Sequence, residues 1–296
     1  MPLSGFMLTE PAPAKVNLAL AVTGQRADGY HLLDSLVTFT AFGDRLGLSP
    51  ASEDRFTLSG RFAEKLDGMG ENLVVTARDR LRAALAETGQ AAPPVHIHLE
   101  KNLPVTAGIG GGSADAAAAL RGLIALWRAE LPRDTRDALA IGLGADVPMC
   151  VESRPLVARG VGEDITPLPL PALPMVLVNP LVGVSTPAVF RALATKRNPP
   201  LDLPTATSDW PALIARLRND LEPPARALCP EIGTVSAALA ESGADIVRMS
   251  GSGATCFGLF AARDAAEGTA KALAQRHPDW FIVATTTLAG DGHGGT

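Results

Sequence analysis

Cysteine, lysine and long apolar runs are all scarce in this chain of 296 residues. The three cysteines, Cys150, Cys229 and Cys256, are far apart and each sits among apolar neighbours. That pattern excludes a disulfide framework and a Cys-x-x-Cys metal site, and it implies a reducing compartment. No uninterrupted apolar stretch approaches the roughly 20 residues of a membrane helix, and residues 1–10 lack the basic start and apolar run of a secretory signal, so a soluble protein without a membrane partner is expected. The formal net charge of -5 is spread over mixed acidic and basic residues. It leaves no basic face for nucleic acid, so any anionic ligand must be held locally. Lysine stands only at 15, 65, 101, 196 and 271, against abundant arginine and alanine, which reads as genome composition.

What is present is a 47% hydrophobic chain long enough for a substantial core. At roughly 100 to 200 residues per domain it suggests two domains. Residues 15–22 alternate with period two, placing Val16, Leu18, Leu20 and Val22 on one face and Lys15 and Asn17 on the other, a strand with one decorated end. Residues 72–87 carry Leu73, Ala77, Leu81, Ala84 and Leu85 at helical spacing, and residues 95–99 alternate as a strand. A glycine cluster follows, and from Asp115 an alanine-rich run predicts a helix. Residues 133–141 read as another helix closed by Gly142 and Gly144, and Val147 to Val151 as a short strand after Asp146. The proline-dense run Pro167 to Pro174 suits neither ladder nor helix and marks the domain connection. Beyond it, Met175 to Val178 reads as a strand, and Ser185-Thr186-Pro187 as an N-cap with proline at the first helical position. The expected division is 1–160 and 161–290, with the glycine-rich 291–296 a disordered tail.

The most informative segment is Pro104-Val105-Thr106-Ala107-Gly108-Ile109-Gly110-Gly111-Gly112-Ser113-Ala114-Asp115, between a strand and a helix. Its glycines let backbone amides crowd together, and the helix adds free N–H groups and a positive dipole end, which together make a phosphate cradle. A flexible turn is the alternative for any glycine cluster; position before a helix favours the cradle. The loop lacks the lysine and spacing of a Walker motif, and Ser113 stands where a dinucleotide fingerprint has its last glycine. A second glycine-rich turn, Ser250 to Phe257, joins two strand-like runs, and two such turns suit a triphosphate gripped from two sides. His96, His98 and Glu100 share one strand face; exposed polar alternation accounts for them, and no zinc is expected.

Pro13-Ala14-Lys15-Val16-Asn17-Leu18, Pro104 to Asp115 and Ser250 to Phe257, in that order, resemble the three motifs of the GHMP kinases. Gly24 to Leu36, containing Gly29-Tyr30-His31, resembles the signature of the branch acting on a cytidine diphosphate-linked methylerythritol. Ala107 and Ala114 depart from the glycine and serine of many relatives, which leaves Ser113 and backbone amides to serve.

The resemblance implies an α+β, two-domain GHMP kinase fold, its N-terminal domain holding a left-handed βαβ unit and its C-terminal domain ferredoxin-like, with the active site between them. It also implies ATP, with Mg2+ arriving alongside it, and a bacterial cytoplasmic enzyme, monomer or homodimer. Lys15 and Asp146 match the family's catalytic pair, residues 104–114 the phosphate loop, and Asn72 the adenosine side. Tyr30 and His31 are assigned to the cytosine with Phe190 as the other stacking face, and Thr186 and Asn17 to the diphosphate and sugar alcohol. The chemistry of the pair agrees, since an alcohol attacking ATP needs a carboxylate to accept its proton and a lysine can orient both. A GHMP kinase for mevalonate or homoserine, and a nucleotide-binding sensor without catalysis, are the competing readings; the presence of both Lys15 and Asp146 disfavours the sensor.

Overall fold

The computed structural model describes residues 3–66, 72–204, 207 and 209–290, so the tail expected over 291–296 lies outside the described residues. The backbone forms two compact units that are not contiguous in sequence. One contains Met1–Ala14, Gly43–Val105 and Gly110–Ser153; the other contains Lys15–Phe42, Thr106–Ile109 and Arg154–Thr296. Two long strands, β1 (Leu8–Gln25) and β2 (His31–Pro50), pass from one unit into the other.

The first unit continues through β3 (Arg55–Ser59), α1 (Leu73–Glu87), β4 (Val95–Glu100), α2 (Gly111–Trp127), α3 (Arg133–Leu143) and α4 (Val147–Glu152). Strand β4 runs antiparallel to residues 45–50 of β2 and parallel to β3, and a parallel pair needs a crossover, which α1 supplies. Helix α1 buries Val74, Ala77, Leu81 and Leu85, an apolar stripe repeating every three or four residues, and packs against α2.

Two expectations change here. The run Val147 to Val151, expected as a strand, is helical in α4. Pro148 lies in the first turn, where its missing N–H costs no bond, whereas it would interrupt a ladder. An apolar run of five residues carries too little periodicity to decide between the two. His98, expected in an exposed alternating face, is buried. Thr57 Oγ1 lies 2.8 Å from both His96 Nε2 and His98 Nδ1, and Ser59 Oγ is 2.8 Å from His98 Nε2. The parallel partner strand supplies hydroxyls opposite the imidazoles, and among the described residues no His, Cys, Asp and Glu cluster could hold a metal ion.

The second unit adds β5 (Leu156–Gly160), β6 (Asp164–Pro167), β7 (Pro174–Asn179), α5 (Thr186–Arg191), α6 (Trp210–Arg216), α7 (Glu222–Leu228), α8 (Glu231–Glu241), β8 (Ile246–Met249), β9 (Cys256–Leu259), α9 (Arg263–Arg276) and β10 (Phe281–Thr286). Residues 33–37 of β2 pair with β5, and β5 with β6. The remaining strands form an antiparallel sheet in the order β10-β7-β9-β8, with helices after β7 and after β9, which is the split βαβ order of a ferredoxin-like domain. Its core gathers Val176 and Val178 from β7, Ile232, Val235 and Leu239 from α8, Cys256 from β9 and Leu273 from α9, together with Leu20 and Val22 of β1.

Arg248 on β8 is buried yet charged, and burial lowers its affinity for the proton. Its Nη1 donates to Leu18 O at 2.6 Å, and its Nη2 to Leu217 O at 2.7 Å and Ile214 O at 3.1 Å. One side chain thus fixes β1, the end of α6 and β8 together. Bonds from a charged donor contribute roughly 1.5–3 kcal/mol each, so Arg248→Leu should lower stability by about 3 kcal/mol, read as a fall in the urea midpoint. An unchanged midpoint would show that the three carbonyls find other partners.

Candidate functional site

Between β4 and α2 the backbone turns left-handed at alternate residues, with φ of +53° at Thr106, +74° at Gly108 and +64° at Gly110. Alternation of this kind gathers successive N–H groups on one side, a nest that receives anions. Helix α2 then starts at Gly111, four residues earlier than the alanine run suggested. Gly111 and Gly112 are helical residues rather than turn residues, and the positive φ belongs to Gly108 and Gly110. Ala114 N donates to Gly110 O at 2.8 Å, so the N–H groups of residues 111–113 are those an α-helix leaves without an intrahelical partner. Ala107 and Ala114 are buried, and Ser113 is half-buried. Asn72 is the N-cap of α1, its Oδ1 accepting from Val74 N at 2.9 Å.

In the second unit the three motifs meet. The turn Ser250 to Phe257 is the β8–β9 hairpin, with Met249 opposite Cys256. Ser250 Oγ donates to Gly108 O at 3.1 Å and accepts from Asn17 N at 3.0 Å. Thr255 donates to Ala107 O through its N at 3.2 Å and its Oγ1 at 2.7 Å. Lys15 N donates to Ile109 O at 3.0 Å. No side chain fits at this junction: a Cβ on Gly108 would lie 2.6 Å from Gly253 O and 2.8 Å from Ser250 O, and one on Gly251 would lie 2.8 Å from Gly108 O. Asn219, which the sequence did not mark, braces the hairpin by donating from Nδ2 to Met249 O and Gly251 O, both at 2.8 Å.

Lys15 and Asn17 are buried within β1, whose residues 12–22 are buried or nearly so on both faces, so the alternation expected to leave a decorated polar face is filled in. Asn17 Nδ2 donates to Ser35 Oγ at 2.7 Å, while its Oδ1 is buried without a partner. Thr186 Oγ1 lies 2.7 Å from Ser252 Oγ. His31 stacks on Phe190 with ring centroids 4.5 Å apart at 25°, and its Nε2 is buried without a partner. Burial, then the charge of Lys196, holds the His31 imidazole below the ordinary histidine pKa. Tyr30 is 62% exposed at the turn between β1 and β2, so the ring lying on Phe190 is that of His31. Asp146, in the first unit, takes the N-cap position of α4 and is half-buried. Arg121 of α2 steadies that helix, donating from Nη1 to Cys150 O at 2.9 Å and from Nη2 to Pro11 O at 2.7 Å.

The first unit also holds a group that sequence reasoning missed. Lys101 Nζ lies 2.5 Å from both Asp44 Oδ2 and Asp115 Oδ2, with all three side chains buried. Burial alone would lower the Lys101 pKa, but Asp115 and Asp44 outweigh it and hold the ammonium protonated. Burial pushes Asp115 well above the usual carboxylate range, and Asp44 adds to the push against the pull of Lys101. The available signal was position, a rare lysine just before the glycine loop and an aspartate just after it.

The GHMP kinases N terminal domain matches residues 72–154, and the GHMP kinases C terminal domain matches residues 204–279. A 4-diphosphocytidyl-2-C-methyl-D-erythritol kinase of Rhizobium meliloti (strain 1021) is 60% identical over 98% of both chains. The chain belongs to the GHMP kinase family, with the 4-diphosphocytidyl-2-C-methyl-D-erythritol kinases. A second kinase of that name, from Rhizobium etli, is 62% identical over 96% of each chain. A crystal structure of 4-(cytidine 5'-diphospho)-2C-methyl-D-erythritol kinase covers 96% of this chain and 100% of its own at 37% identity, with a TM-score of 0.80. A homoserine kinase from Cytophaga hutchinsonii, 20% identical with a TM-score of 0.64 over 95% of this chain and 94% of its own, shares the fold. As a GHMP kinase the chain is a small-molecule kinase with ATP as co-substrate.

In this GHMP kinase, left-handed φ and a Cβ against backbone atoms coincide at Gly108, within the loop. Backbone cannot yield as a side-chain tip can, so Gly108→Ala should raise the KM for ATP by roughly tenfold or more with the fold retained by circular dichroism. Parental kinetics in a folded variant would show that the loop junction tolerates a methyl group.

Proposed function

We propose that this kinase transfers the γ-phosphate of ATP to the 2-hydroxyl of 4-diphosphocytidyl-2-C-methyl-D-erythritol, in the cytoplasm, on the way to isoprenoid precursors. The observation that carries the reading is the whole-length identity of 60% to a kinase of that name, joined to the convergence of motifs at Gly108 and Ser250. The nest from Thr106 to Gly110 and the free N–H groups opening α2 receive the phosphates, and Asn72 serves the adenosine side. Magnesium would arrive with ATP and would supply charge neutralisation to the transferring phosphates.

In the transfer, the hydroxyl oxygen bonds to the γ-phosphorus, the bond from that phosphorus to the bridging oxygen breaks, and ADP leaves. Asp146 accepts the hydroxyl proton, and Lys15 orients the alcohol. Asn17, with an unpartnered buried Oδ1, faces the sugar alcohol, and Thr186 the diphosphate. His31 reads the cytosine edge with its unpartnered Nε2, and Tyr30 and Phe190 supply aromatic faces.

Asp146→Asn should lower kcat by roughly a hundred- to ten-thousand-fold while the KM for ATP stays within a few-fold. Near-normal turnover would remove Asp146 from the proton transfer. ADP release measured with the cytidine compound, its uridine analogue, methylerythritol phosphate, mevalonate and homoserine should be fastest with the first by at least about a hundredfold, because a buried base-reading group rejects a reversed donor and acceptor pattern. Preference for mevalonate or homoserine overturns the substrate while leaving the kinase.

Because the His31 pKa is already lowered, the KM for the acceptor should stay level as pH falls to the ordinary histidine value of 6.5 and rise only below it. A rise beginning above that value would mean that another group controls acceptor binding.

A further inference from the structure

We propose that Asp44, Lys101 and Asp115 form a positioning triad that holds the phosphate loop in its ATP-receiving form before ATP arrives. The inference rests on the reading of residues 104–114 as the phosphate loop and adds what sets its shape.

The triad ties the chain on both sides of that loop. On the entering side, Asp44 Oδ1 accepts from Asn102 N at 2.5 Å and from Leu103 N at 2.7 Å, so one carboxylate oxygen fixes the two amides that lead into Pro104. On the leaving side, Asp115 belongs to the early part of α2, and its Oδ2 meets the same ammonium that meets Asp44 Oδ2. Lys101 is therefore a clasp between the residues that enter the loop and the helix that leaves it. Gly111, the first residue of α2, makes room for the clasp, since a Cβ there would lie 3.1 Å from Lys101 Nζ. Its missing side chain serves the lysine, because its φ is not left-handed.

Energetics point the same way. The three side chains are 0 to 5% exposed, and Asp115 Oδ1 has no hydrogen-bond partner. A buried ion cluster is commonly no more stable than apolar side chains of the same volume, while its geometry is directional and fixed. Stability alone does not explain three buried charges at this place; a loop whose amides must be aligned in advance does, because order present before binding is not charged against affinity. Lys101 is committed to two carboxylates, so it acts through the loop and not as a ligand of the phosphates.

Lys101→Met, with steady-state kinetics in each substrate, tests this. The expected result is a KM for ATP raised by more than about tenfold, with the KM for the acceptor and kcat at saturating ATP within about threefold of the parent. A smaller rise, or equal rises in both KM values, overturns the triad as a positioning device. If that variant does not fold, amide hydrogen exchange on the parent protein decides. Asn102 and Leu103 should be protected without nucleotide, and ATP should slow their exchange by less than about tenfold; a greater slowing shows that ATP, not the triad, orders the entry to the loop. The same experiment separates the two readings. If ATP leaves the amides of Gly108 to Ser113 unprotected, the phosphate-loop reading itself fails; if it protects them while Lys101→Met keeps the parental KM for ATP, only the triad fails.

Discussion

A single steric constraint organises the second unit: Gly108 and Gly251 approach so closely that neither has space for a methyl group. Backbone contact at that distance lets Ser250 and Thr255 reach the carbonyls of Gly108 and Ala107, and lets Asn17 and Lys15 join through their own amides. Sequence segments more than 230 residues apart are thereby held by hydrogen bonds between backbone and short side chains, which have little rotamer freedom to lose. Arg248 and Asn219 extend the same arrangement outward, one tying β8 to β1 and α6, the other bracing the hairpin from behind.

In the first unit the corresponding element is helix α2. Its N-terminus follows the left-handed loop, its early residue Asp115 joins the buried ammonium of Lys101, and its Arg121 holds the carbonyl of Cys150 in α4, the helix that Asp146 opens. The buried alanine run from Ala116 to Ala119 places small side chains on the faces that meet α1 and α4. One element thus links the proposed phosphate loop to the proposed proton acceptor, so an error in the helix would displace both.

Elements with a full turn or more of periodicity were legible in the sequence. Helix α1 falls within the residues 72–87 read as helical, and the turn Ser250 to Phe257 joins two strands as read, while the α5 cap is Ser185, which puts Pro187 at the second helical position and not the first. Short apolar runs were not, as α4 shows, because Val147 to Val151 fits either conformation until Pro148 is seen as a first-turn residue. Burial of polar residues was also hidden. His98 looks like a surface residue until the parallel strand β3 supplies Thr57 and Ser59, and the Lys101 cluster forms only when Asp44, 57 residues away, is folded onto it. Neither partner is signalled by local spacing. The discontinuous make-up of the two units was hidden for the same reason: only residues 15–22 of β1 were read as a strand, residues 31–50 carried no strand reading, and no local pattern marks where each strand passes from one unit into the other.

The most direct test of the account is phosphorus NMR of the material formed from MgATP and the cytidine substrate labelled with carbon-13 at carbon 2 of its methylerythritol. The expected result is one new phosphomonoester resonance coupled to that carbon and without three-bond proton coupling, since carbon 2 carries no hydrogen, growing in step with ADP. ADP formed without an ester, or an ester on any other hydroxyl, would contradict it.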